Sequence, residues 1–537
     1  MKYIIFTLIF FPLALSAQLV SFQSSNLPII LIETNGQAIP NEPKITATMR
    51  IIDNGPGQIN HLNDTPNHYD GFIGIELRGS SSLDLSDKKP YAVETRDAAG
   101  EDLDFPLLGM PEESDWVFMA TYNDKSLIRD VLALELARRI MPWASRTRFV
   151  ELVLNGSYEG IYIVVEKIKR DQNRVDISKL DADEIAGDDL TGGYILKLDK
   201  SSGTPSAGWQ SPFGLPSSSY YQIEYPKLED ITPEQTSYIR DWITGFESVM
   251  ASSEYDDTSN GYSQYIDIQS FIDFAIINEI TKNVDGYRLS SFLYKDKDSD
   301  NNLLHAGPVW DFNIALGNAN YCGGDTYYGW AIDFNDQCPA DGWQIPFWWN
   351  RLWDTPSFRA QMQARWFELR AGPFSDAAIH GVVDSLFGVV QEAQVRNFQR
   401  WPILNVWVWP NVFCCGSYQE HANFLENWLD DRIEWLDGSM TTLYLGEYIP
   451  DEYFKPGVYP NPNNGSMTFQ YYARHGGLIQ IAIFDAIGRQ TDYIFDYVFL
   501  NGKHTFQYQA PLSQGVYYYT FRIDGKQESS GKFVVQP

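Results

Sequence analysis

The chain has 537 residues, enough for three to four folding units at roughly 150 residues each. Hydrophobic residues make up 44% and charged residues 20%, which excludes a disordered chain. Forty basic against seventy acidic residues give a formal charge of −30, a balance that repels phosphate backbones and excludes nucleic-acid binding as the main function. A protein this acidic handles a phosphorylated ligand only through metal ions or a local basic cluster.

The first residues read MKYIIFTLIFFPLALSAQ. Lys2 is a positive n-region, Tyr3 to Leu15 an apolar core, and Ser16-Ala17 small residues before a cut. Residues 1–17 therefore read as a secretory signal peptide. No later stretch is long and apolar enough to span a bilayer, so the mature chain is expected outside the inner membrane with no transmembrane segment.

Residues 19–120 read as strands and turns, with strands at 27–33, 73–78 and 91–95. The polar run Gly79-Ser80-Ser81-Ser82 and the basic pair Lys88-Lys89 separate the last two. Leu127, Val131 and Leu134 predict a helix over 126–140, with Ser126 as its N-cap. Asn155-Gly156 between 148–154 and 160–167 is a hairpin signature. A strand at 194–198 follows. An apolar stripe from Ile266 to Ile280 predicts a helix leading into Asn283-Val284-Asp285, then a strand at 291–294.

Residues 350–440 read as helical. Thr355-Pro356 opens one helix, Ser417 and Glu420 form a capping box for the last, and Gly438 is expected to end it. A linker spans 441–457, and short strands between Asn/Gly/Pro turns fill 458–537. Cys322 and Cys338 flank a Gly/Asp/Asn-rich loop that a disulfide would close. Cys414 and Cys415 either bridge each other or one pairs elsewhere. The scattered histidines and the absence of CxxC argue against zinc.

Asp285 and Asp311 stand before and after one short strand and could converge on one site. One carboxylate would take a hydroxyl proton while the other holds a divalent cation on phosphate oxygens. The plainer reading is that both are turn caps. Arg129 is open to two readings as well, phosphate binding or burial with a carboxylate. Trp343, Trp348, Trp349, Trp353, Trp401, Trp407 and Trp409 could stack on sugars, although helical spacing favours a core role for Trp348, Trp349 and Trp353.

Six blocks in order carry a resemblance: RGSSS…KKPY (78–91), YNDKSLIRD (122–130), YEGIYIVVEKIKRD (158–171), GGYILKLDK (192–200), NVDGYRLSSFLYKDKD (283–298) and AGPVWDFNIALGN (306–318). Over residues 27–440 the chain resembles the atypical kinase family of spore-coat protein H, CotH. The resemblance implies an α+β fold with a divergent protein-kinase-like two-lobe core over 18–440. It implies ATP with Mg²⁺ or Mn²⁺, and transfer of the γ-phosphoryl group to hydroxyls of an unidentified acceptor protein. Asp285 matches the catalytic base and Asp311, in WDFN, the metal-binding aspartate. Glu166 with Lys88 or Lys89 would make the nucleotide-side ion pair, and Arg78 and Ser80 a phosphate-facing loop. Five residues after the base the family places a metal-binding Asn; here stands Ser290, a poorer ligand, with Asn283 or Asn313 as compensating donors. That departure keeps open a catalytically weak surface scaffold or glycan binder on the same fold.

VYPNPNNGSMTF (458–469), IAIFDAIGRQ (481–490) and LSQGVYYYTFRIDG (512–525) resemble a type A sorting domain of the type IX secretion system. This resemblance implies a small all-β sandwich, passage across the outer membrane by that machinery, and release or attachment at the cell surface.

Overall fold

The computed structural model describes residues 20–79, 81–200, 207–214, 219–443, 457–473, 477–498, 502–509, 512–523 and 526–536. The expected signal peptide, Ser80 and most of the expected linker lie outside the described residues.

Seven strands close a barrel: β1 (Ile29–Glu33), β2 (Ile45–Ile52), β3 (Tyr69–Leu77), β4 (Tyr91–Arg96), β5 (Asp115–Ala120), β6 (Thr147–Leu154) and β7 (Ser157–Glu166). The order around the barrel is β1-β2-β3-β4-β5-β7-β6, and β6 closes it by pairing in parallel with β1, Ile29 beside Glu151. Period-two alternation fills the interior with Ile30, Ile32, Met49, Ile51, Ile73, Ile75, Val93, Trp116, Phe118, Tyr162 and Val164. The outer face of β5 and β7 is also buried. Val117, Ile161, Ile163 and Val165 join one core with Val131 and Leu134 of helix α1 (Arg129–Arg138). Burial on both faces explains why β7 is a nearly continuous apolar run.

A second, antiparallel sheet contains β8 (Tyr194–Leu198), β9 (Gly208–Gln210), β10 (Tyr220–Tyr225), β11 (Ser291–Lys295) and β12 (Leu304–Ala306), in the order β9-β10-β8-β11-β12. Helices α2 (Pro233–Ala251), α3 (Ile268–Thr281), α4 (Pro356–Arg370) and α5 (Tyr418–Leu443) surround it in the same core. Residues 457–536 form a three-stranded sheet and a four-stranded sheet.

The expected fold, a protein-kinase-like two-lobe core with a small all-β sandwich, is therefore corrected to a closed barrel joined to a mixed α/β region, followed by a C-terminal part of multiple sheets. The deciding contact, β1 with β6, joins strands more than a hundred residues apart, and local periodicity carries no sign of it. Two smaller expectations are also corrected. Ser126 does not cap α1; its hydroxyl donates to Asp124 Oδ1 (2.6 Å), and Asp124 Oδ2 accepts from the Arg129 amide (2.8 Å). Gly438 does not end α5, which runs on to Leu443. The capping box holds: Glu420 accepts from the Ser417 amide at 2.7 Å. Disulfides join Cys322 to Cys338 and Cys414 to Cys415.

A fully buried ion pair ties the helices together. Arg432 on α5 meets Glu279 on α3 at 3.1 Å, both without exposure. Glu279 also accepts from the Ala331 and Ile332 amides and from the Tyr287 hydroxyl. Arg432 donates to the carbonyls of Glu279, Tyr327 and Gly329.

Glu247 on α2 is buried, accepting from Ser211 Oγ (2.8 Å) and Tyr221 Oη (2.9 Å), and burial pushes its carboxyl up to about 7. In the unfolded chain it ionises near its ordinary value, so between those two pH values folding takes up a proton and stability falls as pH rises. Glu247→Gln removes that loss. Its stability relative to the unsubstituted chain should rise by about 2 kcal/mol between pH 5 and pH 8. Urea denaturation at both pH values checks this; an unchanged difference would contradict it.

Candidate active site

Topology brings three acidic segments to one end of the second sheet. β8 and β11 are antiparallel, with Leu198 opposite Ser291, so Asp199, just past β8, abuts the loop that enters β11. That loop carries Asp285. β12 pairs with β11, Ala306 opposite Leu293, and the chain then runs on to Asp311.

The Asp285 loop begins where α3 stops. Lys282 takes a left-handed conformation (φ 43°), and its ammonium is held by Thr326 Oγ1 (2.6 Å) and by the Thr326 and Tyr328 carbonyls. Asn283 bridges the two acidic segments: Oδ1 accepts from the Asp285 amide (3.1 Å) and Nδ2 donates to the Asp311 carbonyl (3.3 Å). Asp311 itself has φ 67°, Tyr287 φ 68° and Ser290 φ 47°. Left-handed non-glycine residues cost about 1–3 kcal/mol each and cluster where the surroundings fix a functional group.

Arg288 holds the base candidate. Its Nη2 donates to Asp285 Oδ1 (2.6 Å), its Nη1 to Asp341 Oδ1 (3.3 Å) and the Trp343 carbonyl (3.0 Å), and its Nε to the Val284 carbonyl (2.9 Å). The Asp285 side chain keeps 23% of its exposure, so it can meet a ligand. Burial pushes its carboxyl up, opposed by Arg288 and Lys200. Burial, and then the charges of Asp285 and Asp199, push Asp311 up to about 7, opposed by Arg78 and Lys200.

Helix α1 clamps the Asp311 segment from behind. Asp130 Oδ1 accepts from the Phe312 amide (2.7 Å), and Arg129 Nε donates to the Ala315 carbonyl (3.1 Å). Arg129 is buried against Asp124 (2.6 Å), so the carboxylate reading of that residue holds.

The barrel supplies the cations. Arg78 follows β3, with its guanidinium 5.7 Å from the Trp310 ring centroid and in the field of Asp311 and Glu224. Lys88 is buried elsewhere: it donates to the Ile161 carbonyl and Asn397 Oδ1 and stands over the Tyr162 ring. Lys89 donates to the Leu83 and Ser86 carbonyls. Glu166 is unexposed and bonded to Arg146 through that residue's amide (2.9 Å) and guanidinium (2.6 Å). No ion pair joins Glu166 to Lys88 or Lys89. The neighbour Lys167 lies in the field of Asp115, Glu224 and Arg78. Ser290 lines a crevice with Asn278, Asn283, Gly286 and Trp310. The Asn313 carbonyl accepts from Asn318 Nδ2 (2.8 Å).

The structure thus gathers Arg78, Asp285 and Asp311, adds Asp199 and Lys200, and leaves Lys88, Lys89 and Glu166 in separate networks. Among the described residues no group of three or more His, Cys, Asp or Glu could hold a metal ion alone. Magnesium does not need one: it is commonly held by one or two carboxylates plus water and substrate phosphates. Two mutually repelling carboxyls at one opening, oxygen donors only, fit such a cation.

Residues 75–436 match the family model described as "CotH kinase protein". The chain belongs to the CotH family. Residues 457–536 of this CotH-family protein match a second model, "Secretion system C-terminal sorting domain". This tail supports secretion to the outer surface and suggests the type IX machinery as a partner. Among the described residues no helix is long and apolar enough to cross a membrane. A search of curated proteins finds no match. Among solved structures, Pseudomonas fluorescens alkylpurine DNA glycosylase AlkC, bound to DNA containing an abasic site analog, matches at 12% identity and a TM-score of 0.11. The match covers 36% of this chain and 56% of that chain, and it carries no argument.

Proposed function

We propose that this CotH-family protein is an exported phosphotransferase that moves a phosphoryl group from ATP to a hydroxyl of a protein acceptor. The observation that carries the reading is that Asn283 joins the Asp285 and Asp311 segments, with Lys200 near both carboxyls, Arg288 on Asp285 and Arg78 beside Asp311. ATP with Mg²⁺ or Mn²⁺ would supply the phosphoryl group and its charge neutralisation. Asp311, with Asp199 near it, would hold the cation; Arg78 would face phosphate oxygens. Asp285 takes up the acceptor hydroxyl proton, and Arg288 fixes its carboxylate in one orientation. Asp130 and Asn283 keep the Asp311 backbone in its left-handed turn.

Incubating the full chain with γ-labelled ATP and Mg²⁺ or Mn²⁺ tests this. Label should enter the chain itself or an envelope protein. No label under either metal would contradict the proposal.

A further inference from the structure

A rigid aromatic frame borders the acidic opening. Tyr321 lies in the field of Asp285, Arg288, Asp341 and Asp311. Its ring stacks on Trp409, with centroids 5.8 Å apart and 14° between planes, so Tyr321 backs one face of Trp409 and the stack offers the indole as a shelf. Trp343 adjoins the same site through its carbonyl, which accepts from the Arg288 that holds Asp285. Trp409 is 39% exposed, Trp343 44% and the neighbouring Trp407 52%.

These rings are not loose surface residues. The Cys322–Cys338 disulfide ties the residue after Tyr321 to the segment that leads to Asp341 and Trp343. The Asn320 amide donates to the Pro410 carbonyl (2.9 Å), and Asn411 Nδ2 donates to Asn318 Oδ1 (2.9 Å) and the Asn123 carbonyl (2.6 Å). Trp407 Nε1 donates to the Asn411 carbonyl (2.9 Å). Ordering cost is thus met on folding, and exposed rings held in place are a preorganised binding face.

The charge at the frame decides what it suits. Asp285, Asp341 and Asp199 turn away an anionic partner that brings no cation of its own. A cationic one would meet places already taken, since Arg288 occupies Asp285 and Asp341, and Lys200 stands 5.1 Å from the Trp343 ring centroid. A neutral ligand with a flat apolar face and hydroxyl donors fits both features. Asp285 and Asp341 engage Arg288 through Oδ1, which leaves Oδ2 of each to accept a hydroxyl. We infer that the Tyr321–Trp409 shelf and Trp343 bind neutral carbohydrate, with a sugar ring stacked on the shelf at the mouth of the site. This binding stands whether or not the carboxyl pair transfers phosphate.

The test titrates the full chain with neutral malto-, cello-, xylo- and chito-oligosaccharides, followed by tryptophan fluorescence and saturation-transfer NMR. At least one series should bind. Trp409→Ala and Trp343→Ala should each weaken it about tenfold or more with an unchanged melting temperature, and Trp409→Phe should restore part of the loss. Absence of binding by every series, binding indifferent to both alanine variants, or the same losses for a lysine-rich peptide in place of sugar would overturn the inference. Transfer of label from γ-labelled ATP, measured in parallel, reports on phosphotransfer separately.

Discussion

Asp285→Asn and Asp311→Asn should each lower phosphoryl transfer by about a thousandfold or more without unfolding the chain. The amide is nearly isosteric with the carboxyl, so Asn283, Arg288 and Asp130 keep donors and acceptors in place around it. Each substitution removes one of two carboxylates that burial and mutual repulsion disfavour, so the variants should melt at or above the temperature of the unsubstituted chain. The two should differ in kind. Asp285→Asn loses the proton acceptor and should still bind nucleotide with the cation. Asp311→Asn should lose the cation and the nucleotide affinity that depends on it. Transfer at an undiminished rate in both variants would sink the assigned chemistry, and a lowered melting temperature would show that these residues are structural.

Arg432→Ala should destabilise the chain by about 3–5 kcal/mol. The substitution leaves the Glu279 carboxylate buried with no opposite charge. It also strips donors from the Glu279, Tyr327 and Gly329 carbonyls, none of which water can reach easily. Arg432→Lys should recover part of the loss, because an ammonium restores charge but not the planar fork that serves four oxygens. The damage should extend to the candidate site: Glu279 lies one turn before Lys282, where α3 hands over to the Asp285 loop. Guanidinium denaturation of the three proteins measures this. A loss below about 1 kcal/mol for Arg432→Ala would mean that the pair is solvated.

Spacing alone favoured turn caps for Asp285 and Asp311; their roles came from the resemblance of two short local blocks, and the structure adds that Asn283 joins the two segments. Glu166 could not be placed from the sequence. Choosing between adjacent residues on a strand requires knowing which face meets the site, and β7 is buried on both. Lys88 and Lys89 looked like a phosphate-side pair because charge is visible in a sequence and its partners are not; Ile161, Asn397, Leu83 and Ser86 satisfy them. The hairpin and the capping box followed from turn and cap chemistry. Barrel closure did not, since it depends on β1 meeting β6, a pairing with no local signature. Trp348 and Trp349 were readable as core from helical spacing, and both are fully buried, whereas nothing local marks Trp409 as half of a stacked shelf.

The most direct measurement is the melting temperature of the full chain with ATP, with Mg²⁺ or Mn²⁺, and with both together, for the unsubstituted protein and Asp311→Asn. A ligand that binds only the folded state at a hundred times its dissociation constant adds about 2.7 kcal/mol. The expected result is a rise that needs nucleotide and cation together and vanishes in Asp311→Asn. No rise under any combination, or a rise that the substitution leaves intact, would contradict the account.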